Sequence, residues 1–250
     1  MNSRDEFFSN IRQAFGRTSA TPSVAPPEVT ALSQDARTVE ARVELVRQYA
    51  QANAAELMSQ LQDSATLADW KVKRVPSIQD AARHIEALAR DLEARSILRS
   101  THPVLKRLDI ETALSGTGIE VGVMAADEGA DEAQRDEQRA RHRQQVIEAS
   151  IGITGVDYAI AETGTCVLLA RKGVSRLVSL LPPVHVAVVE LGQVLPSLDE
   201  LFTLRRNEFL HENLGSYMNL ITGPSRSADI EYTLVTGVHG PGEVHMVLVG

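Results

Sequence analysis

Residues 152–169 read GITGVDYAIAETGTCVLL, two apolar runs around a small polar centre. Residues 158–161 lead into that centre and residues 166–169 lead out of it. Short apolar runs flanking a glycine-containing turn read as two strands joined by a tight connection. The centre is Glu162-Thr163-Gly164-Thr165, one carboxylate among small residues. Tight connections release side chains from the core, where they can do chemistry. Glu162 has two readings at this level, a turn residue facing water or a site carboxylate.

Outward from this hairpin, strand and helix patterns alternate. Towards the N-terminus a short strand is expected at 72–75 and a second at 96–98. Between them Ser77, with Asp80 three residues on, approximates a capping box. Ile78, Ala81, Ile85, Leu88 and Leu92 then form one apolar helical stripe. A helix over 104–114 is ended by Gly116 and Gly118, and residues 119–124 form another strand. Residues 131–150 carry acids early and arginines late, with Asp131/Arg135 and Glu137/Arg141 at helical spacing. That segment is a solvated helix face or an arginine cluster able to hold an anion.

Towards the C-terminus residues 184–191 read as a buried strand, and Ser197 caps a helix with Asp199 and Glu200 in its first turn. Residues 219–222 form a short strand. Pro224, within Gly223-Pro224-Ser225-Arg226-Ser227, opens a further helix whose free N–H groups could hold an anion. Residues 244–249 are the last strand. Such alternation implies a mostly parallel sheet with helices on its faces.

Ahead of this domain, residues 1–17 form a short amphipathic helix with Phe7, Phe8, Ile11 and Phe15 on one side, a docking face. Residues 18–35 are a linker rich in Pro, Ser, Thr and Ala. Residues 36–62 carry a helical pattern, as one helix or two with a break. The expected organisation is an N-terminal segment and linker over 1–35, a helical extension over 36–68 and an α/β domain over 69–250.

Composition removes several function classes. The chain has 250 residues, 43% apolar, enough for a substantial core without staples. Aromatics are 4%, so that core is aliphatic. A net charge of -8 argues against a nucleic-acid backbone or an anionic membrane as partner. No run reaches the ~18 apolar residues of a membrane span, and the N-terminus lacks a signal-peptide core, so a cytoplasmic location is expected. Cys166 is the one cysteine, which excludes an internal disulfide and an iron–sulfur cluster held by this chain. The seven histidines show no zinc spacing, Glu208 and His211 read as a solvated helix face, and no serine sits in a nucleophile elbow.

Three segments together carry a family resemblance. They are GITGVDYAIAETGTCVLL at 152–169, RLVSLLPPVHVAVVE at 176–190 and ITGPSRSADIEYTLVTGVHGPGEVHMVLV at 221–249. In order and spacing they resemble the LUD-domain family over about the C-terminal 100 residues. Two mild departures are Cys166, where an aliphatic residue is more usual, and Ser227, where threonine is common. The resemblance implies a three-layer α/β fold like the sugar-isomerase and CoA-transferase superfamily, whose members bind small anionic or acyl substrates at the carboxyl ends of the sheet strands. It also implies a link to oxidation of L-lactate to pyruvate beside two partners, at least one of them an iron–sulfur subunit.

Two function classes follow. One is a non-redox component of a lactate-oxidising system, with no cofactor of its own and iron–sulfur clusters on partner subunits. The other is a stand-alone acyl- or CoA-transferase-like enzyme with Glu162 as nucleophile; a ligand-binding regulator is a third possibility. For a carboxylate or phosphate ligand, the turns at Gly164, Gly223 and Gly240 are expected to converge at one sheet edge. Arg176, His185, Arg226 and His239 would supply positive or hydrogen-bonding groups there, with Thr163, Thr165 and Ser225 beside them.

Overall fold

The computed structural model describes residues 3–14, 34–125, 129, 131–169, 176–211, 217–227 and 234–250. The chain forms two compact units, Met1–Thr38 and Val39–Gly250. In the first, helix α1 (Ser3–Ala14) carries Phe7 and Phe8 edge to face at 5.5 Å, both exposed, as is Ile11. Phe15 and residues 18–33 of the expected linker lie outside the described residues.

Two helices precede the main sheet, α2 (Ala36–Ala52) and α3 (Ala54–Leu67), with the break at Asn53. Along the chain then come β1 (Lys71–Val75), α4 (Ile78–Asp91), β2 (Ser96–Arg99), α5 (Pro103–Leu108), α6 (Ile110–Ala113), β3 (Glu120–Val123) and α7 (Glu132–Glu148). The capping reading of Ser77 holds: its hydroxyl accepts the Asp80 N–H at 3.1 Å. The helix expected over 104–114 is two short helices, because Asp109 takes a left-handed φ of 48° between them. Aspartate tolerates that conformation better than most residues.

The remaining strands are β4 (Ile151–Gly155), β5 (Tyr158–Ile160), β6 (Thr165–Leu169), β7 (Val184–Glu190), β8 (Val194–Leu195), β9 (Met218–Ile221), β10 (Arg226–Ser227), β11 (Val235–Thr236) and β12 (Glu243–Val249). Helix α8 (Leu198–His211) lies between β8 and β9. Six strands make one parallel sheet in the order β1-β12-β7-β4-β2-β3. This is the α/β arrangement with a parallel central sheet and flanking helices expected from the alternation.

One face of that sheet packs on α4, α5 and α6 through Ile85, Leu105, Ile151, Val186 and Val247. The other face meets α3 through Leu57, Met58 and Leu61, and α7 through Val146. Each such fully buried aliphatic side chain contributes about 1.5–3 kcal/mol of transfer free energy.

The hairpin is present, with β5 and β6 antiparallel. It does not belong to the main sheet. It sits in a second, four-stranded sheet of order β8-β5-β6-β9. One face of this small sheet adds Ala159, Cys166 and Leu168 to the core over the main sheet. Its other face packs Ile160 and Val167 against Val43 of α2 and Leu201 of α8.

The stretch quoted at the outset also holds part of β4, a central strand of the main sheet that the local pattern hides. All five of its residues are buried, so there is no apolar–polar alternation to read. Two are glycines, which have weak strand preference. Gly152 is required by close packing: a Cβ there would stand 1.9 Å from the Val178 carbonyl oxygen.

Two further readings are corrected. Arg226 and Ser227 pair with Val235 and Thr236 as a two-stranded ribbon, so no helix starts at Pro224. Residues 228–233 lie outside the described residues. Glu208 is not simply solvated: it accepts the Tyr158 hydroxyl at 3.0 Å and pairs with Arg205. Burial, followed by the Glu208 charge, pushes the Tyr158 phenol up to about 12. Among the described residues no helix is long and apolar enough to cross a membrane.

Candidate functional site

The β5–β6 turn is held from three sides. The Ala161 N–H donates to the Leu195 carbonyl at 2.8 Å and the Glu162 N–H to the Pro196 carbonyl at 3.0 Å. The Ser64 hydroxyl, near the end of α3, donates to the Ala161 carbonyl at 2.5 Å. Gly164 closes the turn at φ 66°, and its N–H donates to the Ile160 carbonyl at 3.0 Å. A Cβ at Gly164 would stand 2.5 Å from the Ala65 backbone, so the turn rests directly on α3.

This frame presents Glu162 outward. The residue is exposed, and among the described residues its carboxylate has no hydrogen bond or ion pair. It lines an open cleft of about 450 Å3 together with Tyr49, Gln60, Ser197 and Asp199. The cleft holds two carboxylates and, among the described residues, no basic side chain. Ser197 and Glu200 are already committed to the start of α8: the Ser197 hydroxyl accepts the Asp199 N–H and donates to the Glu200 carboxylate.

On the other side of the turn runs a chain of hydroxyls. Thr163 Oγ1 lies 2.7 Å from Thr165 Oγ1, which lies 2.7 Å from Thr222 Oγ1. Thr222 leads into Gly223, at φ 88°, packed so tightly that a Cβ would stand 2.1 Å from the Ala68 carbonyl oxygen. Gly164 and Gly223 thus rest on the same end of α3. The third glycine follows through Ser225: the Ser225 N–H donates to the Pro241 carbonyl at 3.0 Å, and the Gly237 N–H to the Ser225 carbonyl at 2.8 Å. A Cβ at Gly240 would stand 3.2 Å from Ser225 Cβ. The three turns are therefore joined in series.

The four candidate cations and donors are placed differently. Arg226 lies by these turns but is engaged, 2.7 Å from the Asp69 carboxylate and 3.2 Å from the Ala68 carbonyl. The Arg176 guanidinium stacks 5.4 Å from the Tyr217 ring centroid. His239 is exposed. His185 lies in the core of the main sheet, its Nε2 2.8 Å from Thr154 Oγ1 and its ring 6.0 Å from that of Trp70. Burial, with a smaller push from His245, lowers its pKa to about 3, so it is neutral at physiological pH.

Sequence reasoning assigned no site role to Ser64, Asp69, Asp199 or Thr222, whose places beside the turns arise from contacts remote in sequence. It also missed a buried pair at the carboxyl ends of adjacent strands. His102, after β2, places Nε2 3.8 Å from the Asp157 carboxylate, after β4. Asp157 also accepts the Leu169 N–H at 2.7 Å, tying the end of β4 to β6. The residue spacing offered no signal for that pair. No group of three or more metal-ligating side chains forms among the described residues.

With this geometry in place, comparison with known proteins places the chain. A family model described as the LUD domain matches residues 58–249. "Lactate utilization protein C" of Halalkalibacterium halodurans is 30% identical over 239 residues, 95% of this chain and 94% of that one. The protein of the same description from Bacillus subtilis is 37% identical over 133 residues, 53% of this chain and 51% of that one. A crystal structure of a DUF162 family protein from Deinococcus radiodurans superposes with a TM-score of 0.50 at 22% identity, covering 79% of this chain and 98% of that one. The last likeness bears on the fold alone.

Proposed function

This chain belongs to the LUD domain family, and from that premise we propose that it is a non-redox component of a cytoplasmic system for L-lactate utilisation. The observation that carries this reading is the 30% identity extending over 95% of the chain to a relative named for lactate utilisation. In this reading electrons from lactate pass through iron–sulfur clusters on partner subunits. The one thiol this chain has is Cys166, which is fully buried, with a pKa raised far above the ordinary value by burial. Its part is to hold a small carboxylate or phosphate, or a partner subunit, at the joined turns of Gly164, Gly223 and Gly240.

The Arg226–Asp69 pair supports an anion at those turns. Both side chains are partly open to water, so the pair is weak and an anionic ligand could displace Asp69. The Glu162 cleft, lined by carboxylates, favours a different role. A second reading takes Glu162 as the nucleophile of an acyl- or CoA-transferase-like reaction, in keeping with a sugar-isomerase and CoA-transferase type of fold. What favours it is the exposed Glu162 carboxylate at the mouth of a cleft, without a partner among the described residues.

The deciding experiment deletes the gene for the corresponding protein in a bacterium that grows on L-lactate and supplies this chain in its place. Restored growth on lactate, with purified chain free of stoichiometric iron and sulfide, is the expected result. No restoration by a well-folded chain would overturn the lactate reading. A cluster bound by the isolated chain would overturn the non-redox reading. Turnover of an acyl-CoA by the isolated chain would replace both with the transferase.

A further inference from the structure

Among the described residues the six-stranded and four-stranded sheets have four edge strands, and three of them are protected. Edge β1 carries Lys71, Lys73 and Arg74. Edge β3 has Glu120 at its start, and edge β8 is two residues long and followed by Pro196. Charge, brevity and proline are the usual ways to keep an edge from pairing with another chain. Edge β9 (Met218–Ile221) is as short as β3 but carries neither a charge nor a proline. Its residues Met218-Asn219-Leu220-Ile221, with Tyr217 before and Thr222 after them, include no charge and no proline. It pairs with β6 on one side, and among the described residues its main chain makes no other hydrogen bond. Leu220 is 44% exposed.

We propose that β9 pairs antiparallel with β9 of a second copy of this chain, joining two four-stranded sheets into one of eight strands across a two-fold axis. The symmetry itself restricts the register. Opposed residues of an antiparallel pair point to the same face, so a two-fold axis normal to the sheet must pass midway between a residue and its own copy. With Leu220 at the axis, Leu220 faces Leu220, Asn219 faces Ile221 and Met218 faces Thr222. Every opposed pair is uncharged, so the strand meets itself without the like-charge repulsion that β1 would meet. This register also covers Leu220, the exposed apolar side chain of the strand, with its own copy. Occupants other than this chain are left to the test.

The experiment measures the mass of the full chain by light scattering at rising concentration. Expected is a species of twice the 27.2 kDa chain mass, and its loss in Leu220→Lys at an unchanged melting temperature. Leu220→Cys supplies an independent readout that survives a failure of the lysine variant to fold. Facing residues lie about 4.5–5.5 Å apart between Cα atoms, within disulfide reach. Mild oxidation should then give a covalent dimer from Leu220→Cys and none from the wild-type chain, whose Cys166 is fully buried. A wild-type chain that stays monomeric, a Leu220→Lys variant that stays dimeric, or a Leu220→Cys variant that gives no covalent dimer would each overturn the proposal. So would a monomer that takes up only a strand from another protein.

Discussion

The Arg226 guanidinium lies 2.7 Å from the Asp69 carboxylate, which closes the strongest cationic group of the joined turns against the protein itself. Asp69 is held at φ 63° just after α3, and the Ala68 carbonyl accepts from the same arginine. Asp69→Asn keeps a residue type that tolerates this left-handed conformation while removing the competing charge. Both side chains are substantially exposed, so the stability loss should stay within about 1 kcal/mol. Affinity for inorganic phosphate should rise about fivefold, the equivalent of ~1 kcal/mol. Calorimetric titration of wild type, Asp69→Asn and Arg226→Gln checks this, with the last showing no gain. Equal affinity in all three proteins would remove the anion from these turns.

Glu162 stands on a frame that does not use its carboxylate. The turn is fixed by the main chain of residues 161, 162 and 164 and by Ser64. Glu162→Gln should therefore melt with the wild type, within about 0.5 kcal/mol. If the carboxylate acts in the site, the same variant should fail to support growth on lactate. Melting and growth measured together decide the matter, and normal growth of the variant would strike Glu162 from the site.

Gly164 tests how closely the hairpin depends on α3. Alanine there would adopt a left-handed φ and drive its Cβ to 2.5 Å from the Ala65 backbone. Strain and overpacking together should cost about 3 kcal/mol or more. Gly192→Ala is the matched control: a Cβ there meets nothing within 4 Å, and its effect should stay within about 0.5 kcal/mol. Urea denaturation of the two variants gives the comparison directly.

These residues also separate what the sequence discloses from what it hides. The hairpin, the Ser77 cap and the apolar runs of β7 and β12 were legible because each is encoded by neighbours within a few positions. The joined turns were legible only as three glycines. Their physical connection runs through Thr165–Thr222, through α3 and through Ser225, contacts that no local pattern carries. Asp69 was invisible for the same reason, though it decides whether Arg226 is available. β4 was hidden by burial on both faces, and the ribbon at Arg226–Ser227 by a proline that equally suits a turn.

His185 makes the acid limb of stability predictable. Its pKa is lowered to about 3 in the folded chain by burial, and by the nearby His245, against about 6.5 unfolded. As pH falls below about 6.5 the unfolded chain takes up a proton that the folded chain refuses, so stability is full above that value and falls below it. The loss accrues at up to about 1.4 kcal/mol per pH unit and ceases once pH passes below the folded value. His84, His142 and His245 are also lowered, chiefly by burial, and act in the same direction. Asp80 and Glu243, held down chiefly by hydrogen bonds from Ser77 and Lys71, lose their contribution only at lower pH, as they protonate. Between about pH 6.5 and 5 the slope is therefore a histidine property. His185→Gln should be less stable at neutral pH, because the polar contact to Thr154 is disturbed inside the core. Its stability should fall less steeply across that window, by about one proton's worth of slope. Urea midpoints at half-unit pH steps measure both proteins, and nuclear magnetic resonance of the labelled imidazole follows the site itself. A His185 ring that takes up its proton near pH 6.5 in the folded chain, with parallel slopes in the two proteins, would refute the assignment.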